Sequence, residues 1–304
     1  MWCFLWYIKM MKKRLCIVFI LICLLWMGCS ETTPAESSEE ISSVAEEVSE
    51  ASQPEESSQI LPHKPPVIIG IIDTGISTRA IPKENIREGR NYLDPSLSTE
   101  DTYGHGTAVA SVILEIAPDA ELVPLISNAY ADGKIIQVEN DVFAQIIRDA
   151  VDVYHCQIIN ISAGLILDKP SIREAIAYAE AQNVLVVASV GNDYEIMDAF
   201  KYYPAAYESV LAVGSMNCEQ NEISTFSQRG NWVDVFAVGE EITIKTLSGN
   251  MRVSEGTSYA AAKVTAYASV LLQQFESELT VQELRQMVIE SAETLEDGTK
   301  YIAE

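Results

Sequence analysis

Three short runs of the 304-residue chain hold residue types that could do chemistry together. Asp73 stands in Ile72-Asp73-Thr74-Gly75, His105 in Gly104-His105-Gly106-Thr107, and Ser258 in Gly256-Thr257-Ser258-Tyr259-Ala260-Ala261. Singly, each has an ordinary explanation as a turn acid, a structural histidine or a helix N-cap. As a set they fit nucleophilic catalysis. A serine hydroxyl is a poor nucleophile, so a hydrogen-bonded imidazole must take its proton during attack on a carbonyl and return it to the leaving group. A carboxylate on the other ring nitrogen fixes the tautomer and stabilises the imidazolium that forms.

The elements that must position these residues read as alternating strands and helices. The apolar runs Val67 to Ile72, Leu122 to Ile126, Cys156 to Ile161, Val184 to Ser189 and Val210 to Ser215 suit buried parallel strands. Between them, Val142, Phe143, Ile146, Ile147, Ala150 and Val151 recur at helical spacing after the capping candidates Asn140 and Asp141. Ser171 with Glu174, and Thr280 with Glu283, have the spacing of capping boxes. The pattern predicts one α/β domain with a doubly wound, mostly parallel sheet flanked by helices. Ligands of such sheets bind at the carboxyl ends of the strands. Asp73 follows the first strand directly, His105 heads a helical pattern to Ile116, and Ser258 follows a Gly-led turn into a helix running towards Phe275. All three belong at that edge.

The order Asp, His, Ser is that of subtilisin. In all three signature segments and the strands between them, over roughly residues 67 to 292, the sequence resembles the subtilisin-like (subtilase, peptidase S8) family of serine proteases. That resemblance implies a subtilisin-like fold and an endopeptidase with Asp73, His105 and Ser258 as its triad. Asn192, in Val190-Gly191-Asn192-Asp193, matches the family's oxyanion asparagine, assisted by the backbone N–H of Ser258. Ser162, Ala163 and Gly164 match the strand that pairs with substrate backbone, while Ala188, Ser189 and Val190 would line the opposite wall of the first specificity pocket. With no charge in these segments, an apolar residue is expected before the cut. The chain departs from the family at Tyr259, Ala262 and Lys263, where Met, Pro and His are usual, and at Ala108 in place of a second histidine. The short passage Ala117-Pro118-Asp119 also leaves no room for the family's Asn-rich calcium loop, so neither a metal nor a cofactor is expected.

Other chemistries fit less well. Asp-Thr-Gly is shared with aspartic proteases, but the chain has no second Asp-Thr-Gly or Asp-Ser-Gly. Ser162 lies near a nucleophile-elbow pattern, with Asn160 where Gly is required, yet that fold places its histidine after its serine. Here His63, His105 and His155 all come before Ser162, and no clustered His or Cys suggests zinc. The rival from another class is an anchored binding protein that keeps the fold without turnover.

Charge and leader segments bound the setting. A formal net charge of -24 disfavours nucleic acid and bare anionic membrane as partners. Basic or neutral polypeptides, met by a monomer, are the expected substrates. Lys12, Lys13 and Arg14 precede a 13-residue apolar run, Leu15 to Met27. Spanning a bilayer takes about 20 apolar residues, so residues 1–29 read as a signal peptide. Met10 and Met11 are alternative starts. Gly28 before Cys29 resembles a bacterial lipobox, despite Trp26 where Leu is usual, which implies lipidation of Cys29 and an extracytoplasmic, membrane-tethered protein. Residues 30–66 read as a disordered acidic spacer, since 30–61 hold nine Glu and nine Ser and no Lys, Arg or Asp. This segment is too short and polar for a folded prodomain. Residues 67–304 are the expected peptidase domain, with only Cys156 and Cys218 of the six cysteines and no implied disulfide framework.

Overall fold

The computed structural model describes residues 64–194, 196, 200–275 and 279–303. The leader, Cys29 and nearly all of the acidic spacer lie outside the described residues. The main sheet contains β1 (Ile68–Asp73), β2 (Arg90–Asn91), β3 (Glu121–Ile126), β6 (Ile158–Ile161), β7 (Leu185–Ser189), β8 (Val210–Met216), β9 (Val235–Val238), β12 (Glu293–Thr294) and β13 (Lys300–Tyr301). Their order is β12-β13-β9-β8-β7-β6-β1-β3-β2, and every pairing is parallel except β12 with β13. The doubly wound, mostly parallel architecture expected from the sequence is therefore present.

Helices cover both faces. On one side lie α1 (His105–Ile116), α4 (Thr257–Gln274) and α5 (Val281–Ser291), and on the other α2 (Asn140–Asp152) and α3 (Pro170–Ala181). Strand alternation feeds both cores. Leu185 and Val187 point into the α1/α4 core, and Val186 and Ala188 into the α2/α3 core. From β1 the chain first runs to β2 at the sheet edge, steps back to β3 beside β1, and then crosses through α2 to β6, on the other flank of β1. This reversal makes the carboxyl ends of β1 and β6 the topological switch point, where such sheets open a crevice.

Two expected caps are displaced. α3 begins at Pro170, with Lys169 as N-cap and no capping side chain, so Ser171 and Glu174 lie inside the first turns. Proline suits the first helical position, where its missing N–H has no partner to lose, and it draws the helix start ahead of Ser171. Likewise α2 begins at Asn140 after Glu139, leaving Asn140 and Asp141 in the first turn without a cap bond. There the Asp141 charge still favours the positive helix end. Thr280 and Glu283 do form the complete capping box of α5. Two antiparallel hairpins outside the main sheet, β4 (Asn128–Ala131) with β5 (Lys134–Gln137) and β10 (Ile242–Lys245) with β11 (Met251–Ser254), have no counterpart in the sequence reading. The first turns on Asp132-Gly133, both at positive φ, the chemistry a two-residue hairpin loop requires.

Candidate active site

Asp73 is the last residue of β1 and is 1% exposed. An isolated carboxylate buried this deeply would be costly, so its hydrogen bonds matter. Oδ1 accepts the backbone N–H of Thr74 at 2.8 Å, and His105 Nδ1 lies 2.8 Å from Oδ1 and 2.9 Å from Oδ2. With Nδ1 donating to the carboxylate, Nε2 is left as the acceptor on the opposite side of the ring. Close approach of α1 to β1 depends on Gly106. A Cβ there would lie 2.3 Å from the Gly75 carbonyl oxygen and 3.2 Å from Asp73 Cβ.

The start of α1 is secured by groups the sequence reading passed over. Asp101 is 4% exposed, and its Oδ1 accepts from the backbone N–H of Tyr103 at 2.9 Å and of Gly104 at 2.8 Å. Its Oδ2 accepts from Thr107 N at 2.9 Å and Thr107 Oγ1 at 2.7 Å. Thr74 Oγ1 accepts the Gly106 N–H at 2.9 Å, joining the strand end to the helix start. Burial disfavours the His105 imidazolium, but the charge and hydrogen bond of Asp73, with the charge of Asp101 behind them, outweigh it. The His105 pKa is raised above its ordinary value.

On the facing side, α4 follows Gly256 and carries Ser258, 7% exposed, in its first turn. α1 and α4 pack together, and the Tyr259 ring centroid lies 6.2 Å from that of His105. Asn192 is exposed beside this helix start. Its Oδ1 accepts from Thr257 N at 2.9 Å and Thr257 Oγ1 at 2.8 Å, which fixes the amide and turns Nδ2 the other way. A Cβ built on Gly256 would stand 3.5 Å from Asn192 Nδ2 and 3.9 Å from Ser258 N, so the two donors border one small space. Two N–H donors at a helix start suit a developing negative charge.

The substrate-binding segments flank this point. Ser162, Ala163 and Gly164 leave the end of β6 at the surface. A polar relay ties them to α4: Thr265 Oγ1 donates to Asn160 Oδ1 at 2.9 Å, Asn160 Nδ2 to Ser162 Oγ at 3.0 Å, and Ser162 Oγ to the Ser258 carbonyl at 3.3 Å. Of the other wall, Ala188 and Val190 are wholly buried in the α2/α3 core and Ser189 is 6% exposed. The accessible part of that wall begins at Gly191 and Asn192. Cys156 is buried, with its thiol pushed up to about 12 by that burial, Cys218 is exposed, and both are free. Among the described residues no group of three or more His, Cys, Asp or Glu side chains could hold a metal ion.

Comparison with known proteins bears on the family and the fold. The subtilase family model matches residues 65–301. The chain is 30% identical over 237 residues to the minor extracellular protease Epr of Bacillus subtilis (strain 168), covering 73% of this chain and 35% of that protein. It is 32% identical over 227 residues to subtilisin Savinase of Lederbergia lenta, covering 71% and 80% respectively. Several other relatives are also longer, the chain spanning 56–58% of three of them. A solved cold-adapted subtilisin-like serine proteinase superposes with a TM-score of 0.68 at 24% identity, covering 78% of this chain and 89% of that one.

Proposed function

The chain belongs to the subtilase family, and from that membership and its own geometry we propose that it is a serine endopeptidase acting through an acyl-enzyme on Ser258. The observation that carries the reading is the doubly hydrogen-bonded Asp73–His105 pair, set across from a helix start that holds Ser258 and the oriented Asn192 amide. In this mechanism a peptide lies along Ser162 to Gly164, and its scissile carbonyl oxygen enters the space between Asn192 Nδ2 and Ser258 N. Ser258 Oγ attacks while His105 Nε2 takes its proton. Asp73 holds the ring and stabilises the imidazolium, and the two N–H donors stabilise the oxyanion. His105 then protonates the leaving amine, and water, activated by the same imidazole, releases the acyl group.

Export and tethering are part of the proposal. The basic cluster, short apolar run and Gly28-Cys29 support a leader cleaved before a lipidated Cys29, with the acidic spacer holding the domain of residues 67–304 away from the membrane. Two or more acyl chains on that cysteine would give stable anchoring, which one chain does not. Substrates are extended polypeptides outside the cytoplasm. Labelling by a fluorophosphonate probe and cleavage of a peptide library test the chemistry, and both should vanish in Ser258→Ala. Folded wild-type protein that does neither at neutral pH would leave only a non-catalytic binding role. Cys29→Ser should release the protein from membranes or stall its processing, and unchanged retention with normal cleavage refutes the anchor.

A further inference from the structure

Two glycines on opposite walls of the substrate cleft press against one aromatic ring. A Cβ built on Gly164 would lie 3.1 Å from Tyr202 Cδ1 and 3.2 Å from Tyr202 Cβ. One built on Gly191 would lie 2.7 Å from Tyr202 Cδ2 and 3.0 Å from Cε2. Opposite edges of the same ring therefore face opposite walls, and the ring spans the gap between them. A side chain on Gly191 would collide with it, and one on Gly164 would press the ring closely enough that it would have to shift by a few tenths of an ångström.

The ring is held from several directions. Tyr202 is 8% exposed, and its hydroxyl donates to Asp193 Oδ2 at 2.6 Å. Burial first, and the Asp193 hydrogen bond second, push this phenol up to about 12, so it stays a neutral donor at neutral pH. Its backbone is fixed as well. Tyr203 exchanges two hydrogen bonds with Leu165, at 2.7 Å and 2.8 Å, directly beside Gly164, and Ala206 N donates to the Tyr202 carbonyl at 2.8 Å.

A peptide placed as above, with its carbonyl oxygen at Asn192 and its backbone along Ser162 to Gly164, must project one side chain between Gly164 and Gly191. This is the side chain of the residue on the acyl side of the scissile bond. We propose that Tyr202 is a specificity-determining residue, closing that recess so that the protein cuts after small residues: Gly, Ala or Ser. The inference rests on the peptidase reading and narrows the expectation of an apolar residue before the cut. A Leu or Phe would have to displace a buried ring, break its bond to Asp193 and unpack it from two walls, whereas a hydrogen, methyl or hydroxymethyl group meets no such demand. Pocket shape discriminates steeply, since even one methylene changes rates by roughly 10–200-fold.

The test compares cleavage sites in a peptide library for wild type, Tyr202→Phe, Tyr202→Ala and Tyr202→Gly, with rates normalised to the fraction of each protein that labels with a fluorophosphonate. Wild type should cut after Gly, Ala or Ser. Tyr202→Phe keeps the ring and should keep that preference. Tyr202→Ala and Tyr202→Gly should raise the ratio of kcat/KM for Leu or Phe over Ala by about tenfold or more. Wild-type protein that labels yet cuts best after Leu, Phe or Tyr overturns the inference while leaving the peptidase reading intact. The wild-type profile decides this even if the truncated variants fail to fold. Truncated variants that label but keep the wild-type ratio also overturn it. Folded wild type that neither labels nor cuts removes the peptidase reading, and this inference falls with it.

Discussion

The two sides of the cleft are held by different physics. Around Asp73 and His105 the positions are set by hydrogen bonds between groups close in sequence to the three motifs: Thr74 and Asp73 to backbone, Asp101 to four donors at the start of α1, and Nδ1 to the carboxylate. Around Tyr202 the position is set mainly by shape, with one ring between two glycines and a single side-chain hydrogen bond. The first arrangement tolerates almost no change of residue type, because each buried donor or acceptor left unpaired costs about 1–3 kcal/mol. The second can change volume and keep its chemistry. On the proposed reading, machinery and selectivity are separable, and substitutions on the two sides should differ in kind.

The largest effect should come from the hydrogen-bonded side. Asp73→Asn keeps the volume but offers an amide where the imidazole needs a carboxylate, favouring the wrong tautomer and removing the charge that stabilises the imidazolium. A loss of roughly 10⁴ in kcat is expected, the size seen when a triad aspartate is so replaced. Single-turnover kinetics on a peptide ester would check it, and a loss under tenfold would break the contrast. Next is Asn192→Ala, which leaves nucleophile and base but removes one oxyanion donor. Such a loss costs roughly 10²–10³ in turnover, a range known from a subtilisin. This variant should still label slowly, and its preference for the residue before the cut should match wild type.

The pH profile gives a smaller and graded effect. His105 must be neutral to accept the serine proton, and its pKa is raised. Activity should therefore be complete at pH above that raised value and fall by about tenfold for each unit below it, with the midpoint above the ordinary imidazole value of about 6.5. Asp101 is one of the charges raising it, so Asp101→Asn should move the acid limb of kcat/KM to lower pH while weakening the start of α1. A midpoint below the ordinary value in wild type, or a limb that moves upward in the variant, contradicts the electrostatics described.

The same division explains what could be read from sequence. The proposed catalytic residues could be picked out because each sits in a run of four to six residues that the structure places at a strand end or helix start. The sheet was legible because buried parallel strands are continuous apolar runs. Asp101 carried a weak signal, an acid four residues before His105 in Asp-Thr-Tyr-Gly-His, whose value as a cap appears only once the helix start is known. Tyr202 carried none. It lies in Phe200-Lys201-Tyr202-Tyr203-Pro204, which has neither period, and it meets Gly164 only through the pairing of Tyr203 with Leu165. The misplaced caps have local causes: Pro170 takes the first helical position ahead of Ser171, and in the polar run Glu139-Asn140-Asp141 more than one helix start is possible.

The smallest expected effect tests whether the site end of the sheet is insulated from the other end. β7 runs from Leu185 towards Ser189, with Asn192 beyond its carboxyl end, while Asn183 precedes its amino end. There Asn183 Oδ1 accepts the Val281 N–H at 2.6 Å and Asn183 Nδ2 donates to the Leu279 carbonyl at 3.0 Å, docking the start of α5 onto the sheet. Thr280 caps that helix by accepting from Glu283 N at 3.2 Å, while Glu283 Oε2 accepts the Thr280 N–H at 2.8 Å. Thr280→Ala removes the side-chain acceptor and leaves every catalytic contact untouched. It should lower stability by about 0.5–2 kcal/mol. For a domain of this size, 1 kcal/mol corresponds to a fall in Tm of about 2–4 °C. Turnover per labelled site, pH profile and cleavage preference should stay within twofold of wild type at 25 °C. A larger drop in turnover would mean that the amino-terminal edge of the sheet transmits strain to Asn192 through β7, and that the two ends of the sheet are coupled.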